Sequence, residues 1–352
     1  MHLGLFSIMP YRDRSKSPQS VFIETADQVR LAEQIGFEIA WFAEHHFSNF
    51  SLCPSPSAMA TYMAGRTSRI KLGTGVMVVP LYHPLRLIED LCVLDILSNG
   101  RAVVGLGSGY QQYEFHKFGV DLADGRDMFL ETLDVFEQFI DKGVVEYSGK
   151  HLKIPATGFC LRFIQKRPAI YVAGLGNDPE TQRRISQNGY VPIFTAGWSQ
   201  LEELQALRNK VMASHTAAGG NPHHMPFAAQ QYVYVTERRQ DALKAAEAAR
   251  YIRRVSSAMR ANSARLDGVF LQEAPTPNEP SLDALADRLI IGDAETVAAK
   301  LDAQFEALKP THWTLFMALP GIPPEKTLRS MELFGSEVMP RLARHLSPAV
   351  AA

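Results

Sequence analysis

The chain is poor in cysteine and carries no long apolar run. Cys53, Cys92 and Cys160 are its only cysteines among 352 residues. They are odd in number, widely spaced and outside any paired-cysteine motif, which argues against a disulfide framework or a structural zinc site. A reducing cytoplasmic setting is expected. No apolar stretch approaches the ~20 residues that span a bilayer. The opening Met1-His2-Leu3-Gly4-Leu5-Phe6 lacks the basic lead of a signal peptide. An excess of either charge is missing too. With 36 basic and 37 acidic side chains the formal charge is −1, so neither nucleic acid nor an anionic membrane gains an electrostatic hold. Small molecules are the expected partners.

What is present is an alternation of strand-type and helix-type segments. Leu3 to Met9 is followed by Ser20 to Gly36, Ile39 to Ala43 by Ser57 to Thr67, and Ile70 to Val79 by Pro84 to Leu97. Val103 to Gly107 leads to Met128 to Ile140, Ile170 to Ala173 to Pro179 to Asn188, and Val191 to Thr195 to Leu201 to His215. Phe227 to Val235 with Asp241 to Met259, and Trp313 to Ala318 with Lys326 to Met339, complete eight units. Such alternation demands a parallel sheet, and eight strands close it into an α/β TIM barrel; an open doubly wound sheet is the weaker alternative. Barrels of ~250 residues or more form one domain, so residues 1–352 are expected to be a single unit with insertions on the C-terminal rim. Val144 to Ile154 reads as a hairpin. Residues from about 262 to 288, with Ala274-Pro275-Thr276-Pro277-Asn278-Glu279-Pro280, read as a lid held by few interactions.

Titratable side chains gather where the second strand ends, in Trp41-Phe42-Ala43-Glu44-His45-His46-Phe47. The rim at such strand ends is where barrel enzymes carry their chemistry. Glu44 and His46 share one parity and His45 has the other, so a two-histidine metal centre is disfavoured and no metal is expected. Three glycine clusters follow. Gly73-Thr74-Gly75-Val76-Met77 marks a bulge, a corner or the close approach of a ligand. Gly105-Leu106-Gly107-Ser108-Gly109-Tyr110 is not a dinucleotide fingerprint, because Tyr110 stands in the place of the third glycine. Gly174-Leu175-Gly176-Asn177-Asp178, ahead of Pro179, offers amides at a helix start to an oxyanion such as phosphate, although Asp178 would cap that helix itself and repel the anion.

Taken in order, Trp41 to Phe47, Gly73 to Pro80, His83 to Asp90, Leu94 to Arg101, Gly105 to Tyr110 and Met331 to Pro340 resemble the bacterial luciferase-like flavin-dependent monooxygenases. The resemblance implies a TIM barrel, reduced FMN, molecular oxygen, a small organic substrate and a separate flavin reductase. Residue by residue, His45 matches the family's active-site histidine and Glu114 an acidic residue beside it. Gly75 and Val76 match a bulge, often a non-prolyl cis peptide, that presses on the flavin ring. Gly174 to Asp178 match the phosphate loop, and Gly109, Tyr110 and Thr195 join the cofactor surface. Ser108 departs from the pattern, since many members carry a phosphate-binding arginine there. That departure keeps alive an F420-dependent oxidoreductase of the same superfamily, and a flavin-binding protein without turnover is a further alternative. Gly107 replaces the reactive cysteine of luciferase itself and lends no support to light emission. Met9, Val76, Thr195, Ala196 and Trp198 are the expected apolar wall. A homodimer is expected through Ala58, Met59, Tyr62 and Met63.

Overall fold

The computed structural model describes residues 1–173 and 178–347. Among them eight parallel strands close into a barrel: β1 His2–Ser7, β2 Ile39–Phe42, β3 Lys71–Thr74 with its continuation Met77–Val78, β4 Ala102–Gly107, β5 Ile170–Ala173, β6 Val191–Gly197, β7 Ala228–Val235 and β8 His312–Phe316. Each pairs with the next, and β8 returns to β1 in the register His2 with His312 to Leu5 with Leu315. The helices between them are α1 Pro18–Ile35, α2 Pro56–Ala64, α3 Pro84–Leu97, α4 Gln112–Phe118, α5 Gly125–Lys142, α6 Pro179–Asn188, α7 Leu201–Ala217, α8 Arg239–Arg260, α9 Leu282–Arg288, α10 Ala294–Leu308 and α11 Pro324–Leu333. None of the described helices is long and apolar enough to cross a membrane.

Local chemistry sets these boundaries. Ser17 caps α1 by accepting the Ser20 N–H, Pro18 occupies its first turn, and Gly36 ends it at φ +97°. Asp178 caps α6 through the Thr181 N–H, and Gly189 closes it at φ +67°. Ile39, Trp41, Val103, Tyr171 and Ala228 fill the barrel interior, while Leu3, Leu5, Leu72 and Val233 face the helical layer. The Trp41 indole lies across the interior floor. A Cβ on Gly4 would come within 2.7 Å of its Nε1, and one on Gly73 within 2.4 Å of its Cε3. Glycine at 73 therefore makes room for Trp41.

Three expectations change. The third strand is not continuous from Ile70 to Val79, because the chain leaves the ladder at the cis peptide Gly75–Val76 and re-enters at Met77. Thr74 Oγ1 fills the gap, donating to the Gly105 carbonyl and accepting the Gly105 N–H, each at 2.9 Å. The last unit is α11 followed by a π turn over Phe334–Val338 and a 3-10 helix over Met339–His345, not one helix to Met339. The stretch after α8 holds more order than a bare loop. Arg265–Asp267 pairs with Phe270–Gln272 as a hairpin, and Ile290–Gly292 adds to the end of β7.

This rim insertion is tied down. Asn49 donates and accepts across the hairpin, its N–H reaching the Val269 carbonyl at 2.9 Å and its Oδ1 taking the Leu271 N–H at 2.8 Å. Glu279 accepts from Arg254 and from both the N–H and hydroxyl of Thr276. Arg12 bridges Glu247 and Glu273. The expectation of few interactions fails because the carboxylates of the Pro-rich segment meet the arginines of α8.

Candidate functional site

The loop after β2 brings Glu44, His45 and His46 to the rim, the turn after β4 brings Gln111, and the first turn of α4 brings Glu114. β2 ends at Phe42, before the stretch in which the parity argument would apply, and the two histidines part company in the loop that follows. His46 Nε2 lies 2.9 Å from Glu44 Oε1, whose other oxygen accepts the Tyr82 hydroxyl at 2.8 Å and the Val78 N–H at 3.1 Å. Burial and this carboxylate push the Tyr82 phenol far up, and burial followed by the Glu44 charge pushes the Cys53 thiol up to about 12. Glu44 thus fastens the β2 loop to the segment that follows the cis peptide.

His45 turns to Glu114. Its Nδ1 lies 3.1 Å from Glu114 Oε1 and 2.9 Å from Gln111 Nε2, while Nε2 has no hydrogen-bond partner among the described residues. The two neighbours make opposite demands, since the carboxylate needs a proton on Nδ1 and the amide needs a lone pair there. One tautomer leaves Nε2 as an acceptor, and the other makes it a donor. The ring is held edge-on against Phe50 and Tyr110, with centroids 4.8 and 5.9 Å away. An imidazole so placed can hold or release a proton at Nε2 without reorienting.

Beside it lies a cradle of small residues. A Cβ on Gly105 would sit 1.9 Å from the Thr74 carbonyl oxygen and one on Gly107 2.6 Å from Val76 Cγ2, so the glycines of β4 let the Gly75–Val76 bulge press against that strand. Gly109, at φ +74°, makes room for Phe115 and Val78. Phe6 packs edge-on against Phe316 at 5.7 Å and Tyr232 tilts against the same ring at 5.4 Å, and Trp198, Ile8 and Phe50 join them. The apolar wall is therefore these residues with half-buried Val76. Met9 and Ala196 face outward into the helical layer, and Met9 lines a separate cavity of about 240 Å³ with Ser7, Tyr11, Thr25 and Leu319. Thr195 is exposed and shares its parity with Val191 and Ile193, which pack on the interior cluster. It opens into the barrel mouth. Gln111 Oε1 and Trp198 Nε1 are buried without a hydrogen-bond partner among the described residues.

At the β4–β5 edge Ser108 is buried and Tyr110 half-buried. Gly174, Leu175, Gly176 and Asn177 lie outside the described residues. Asp178 caps α6 as expected, but its charge is met by Arg126, whose Nε donates to it at 2.6 Å. The guanidinium and the capping bond hold the Asp178 carboxyl below its usual range despite burial. Arg126, at the start of α5, Gln111 and Tyr82 were not singled out in the sequence. Gln111 directly follows the quoted glycine–tyrosine stretch without belonging to it, and Arg126 carries no local signal.

An eight-stranded α/β barrel with a histidine–carboxylate centre on its rim and a glycine-lined cradle beside it is the enzyme class defined by fold and site. The luciferase-like monooxygenase profile matches residues 1–312, and the chain belongs to that family. It is 33% identical over 353 residues to the uncharacterised protein y4vJ of Sinorhizobium fredii, covering 100% of both chains. It is 25% identical to the oxygenase component of a flavin-dependent trigonelline monooxygenase from Acinetobacter baylyi, covering 97% of this chain and 95% of that one. The FMN complex of the oxygenating constituent of 3,6-diketocamphane monooxygenase from Pseudomonas putida superposes with a TM-score of 0.76 at 21% identity, covering 97% and 98%. An F420-dependent tetrahydromethanopterin reductase from Methanopyrus kandleri gives 0.69 at 20%, covering 96% and 98%.

Proposed function

We propose that this chain is the oxygenase component of a two-component FMN-dependent monooxygenase that oxygenates a small organic substrate. The observation that carries the reading is His45, with Nε2 free at the rim and Nδ1 held between Glu114 and Gln111. Bound reduced FMN would supply two electrons to O2, one oxygen atom passing to the substrate and the other leaving as water. Ser108, Arg126 and the amides leading to Asp178 would hold its phosphate, and Gly75, Val76, Gly109, Tyr110 and Thr195 would frame its ring. His45 acts at Nε2 as the general acid or base for the oxygen being transferred. Glu114 positions the imidazole, and the wall from Phe6 to Trp198 keeps water from the reacting atoms.

A reductase in trans supplies the flavin, and the compartment is the cytoplasm. The chain works as one domain and as a homodimer. Met59 and Met63 are buried in the core, so the dimer surface we place on the early helices is Tyr62 of α2 with Val93, Ile96 and Leu97 of α3, all exposed. The test is anaerobic titration with FMNH2, FMN and F420 separately, followed by oxygen. FMNH2 binding with substrate-dependent O2 uptake is expected. Tighter binding of F420 than of FMNH2 overturns the assignment in favour of a deazaflavin oxidoreductase, and flavin binding with no O2 consumption leaves a binding protein.

A further inference from the structure

α8 carries five arginines: the Arg250 charge acts on Glu247 while its Nε is buried without a hydrogen-bond partner among the described residues, and the surroundings of the other four differ. Arg239 pairs with Asp283 and Asp287, and Arg254 with Glu273 and Glu279. Arg253 and Arg260 pair with no carboxylate among the described residues. Each lays its guanidinium over an aromatic ring at the barrel mouth instead: Arg253 is 5.5 Å from the Trp198 centroid and Arg260 is 4.5 Å from that of Tyr110. Stacking occupies the face of a guanidinium and leaves its N–H edge free for an oxyanion.

The two lie seven residues apart, about 10 Å along one helix face, with Ser256 and Ser257 between them. Both rings belong to the site. The Arg253 charge acts on Tyr232, which tilts against Phe316 in the interior wall. The Tyr110 hydroxyl accepts from Gln111 Nε2, which in turn touches His45. Arg260 is therefore one ring and one amide from the proposed oxygenating centre. Two unpaired guanidiniums flanking an aromatic-lined mouth are a clamp for an anion, and the rings beneath accept a planar body.

We infer that Arg253 and Arg260 bind the acidic group of the substrate, which is a planar aromatic acid, carboxylate or sulfonate, whose ring lies among Phe6, Trp198, Tyr232 and Phe316. This assignment rests on His45 marking the oxygenation site. The competing source of the same chemistry is the cofactor's phosphate, and the experiment separates the two.

The flavin-free protein is titrated with benzoate, 2-naphthoate and 2-naphthalenesulfonate, and with the corresponding amides and sulfonamide, by calorimetry and tryptophan fluorescence. At least one acid is expected to bind tenfold or more tightly than its neutral counterpart. Arg253→Met with Arg260→Met should abolish that preference while the FMN dissociation constant stays within about twofold. Arg→Lys at both positions should restore part of it, since charge returns without the bidentate edge. An unaltered melting temperature in the variants establishes that the fold is intact. The inference falls if no acid outbinds its neutral partner, if the Met variant keeps the preference, or if FMN affinity drops while acid binding persists. Because the acid titration needs no flavin, failure of the wild-type protein to bind FMN would sink the cofactor assignment separately from the anion clamp.

Discussion

Glu114 Oε1 lies 3.1 Å from His45 Nδ1 and takes the His46 backbone N–H at 2.7 Å. One buried oxygen therefore fixes both the imidazole and the loop that carries it. His45→Ala should leave FMNH2 binding within a few-fold while product yield falls by about 100-fold or more, the usual worth of a general acid–base group. The oxygen then leaves as hydrogen peroxide. Glu114→Gln keeps a hydrogen bond to the ring but loses the charge, so its loss should be smaller. Unchanged coupling of oxygen use to product in His45→Ala would remove His45 from the chemistry.

The rim insertion should resist proteolysis. Arg254 and Thr276 hold Glu279, whose carboxyl is pulled down to about 2, chiefly by the arginine. Arg254→Met leaves that carboxylate without its cation, and cleavage within Ala274 to Pro280 should quicken about tenfold or more under limiting protease. Equal rates in the two proteins would show that the ion pair does not restrain the segment.

On the proposed reading, Arg126, held by Asp178, supplies the cation that position 108 lacks. Charge-assisted hydrogen bonds contribute about 1.5 to 3 kcal/mol, so Arg126→Ala should weaken FMNH2 about tenfold or more. Riboflavin, which has no phosphate, should bind wild type and variant alike. A matching loss with riboflavin would place the effect in the fold and not at the phosphate.

At the opposite pole of the barrel His312 stacks on His2 at 4.7 Å. Burial foremost, then the His2 charge and more weakly the N-terminal amine and Lys71, lower its pKa to about 3 against the partial opposition of Glu38. The folded imidazole binds fewer protons than the unfolded one, whose pKa is near 6.5. Stability from this site is complete above that value and drains as pH falls towards 3. At pH 5 the loss is on the order of 2 kcal/mol. Denaturant melts at pH 7.5 and pH 5 should show a smaller drop in His312→Gln than in wild type; parallel drops would remove His312 as a source of acid sensitivity.

Only one thiol should react in the native state. Burial raises the Cys53 and Cys92 thiols to about 12, whereas Cys160 is exposed. A thiol-specific chromophore at pH 8 should count one group per chain when folded and three in guanidinium chloride. A second fast-reacting thiol in the native protein would contradict this burial.

Most of the barrel was legible because each unit announces itself within about ten residues. Pro84 to Leu97 and Pro179 to Asn188 have the predicted limits, set by a proline in the first turn and by local stop signals. In the region from 281 to 311, α9 and Ile290–Gly292 escaped because they are short and lean on α8 and β7, whereas the 15-residue α10 was passed over although Asp293 caps it through the Thr296 N–H. His45 and His46 separate as expected, but not by strand parity, because β2 ends at Phe42 and their loop partners Glu114 and Glu44 set the two directions. Arg126 was not legible, because its role depends on Asp178, 52 residues away, and only folding brings them together. Met9 and Ala196 were misplaced for a related reason. Each is apolar and near the rim, but strand parity sends Ala196 outward, and Met9, two residues past the end of β1 at φ +54°, turns into the helical layer.

Gly4, Trp41 and Gly73 come from three neighbouring strands and share one volume. In any related sequence these positions are expected to change as a set, with a bulkier residue at 4 or 73 accompanied by a smaller one at 41. The same coupling offers an engineer a compensated exchange. Gly73→Ala alone overfills the floor and Trp41→Leu alone hollows it, whereas the two together should cost less than the sum of their separate effects. The floor of this barrel is thus built as a unit, with three strands contributing to one volume that no single strand reveals.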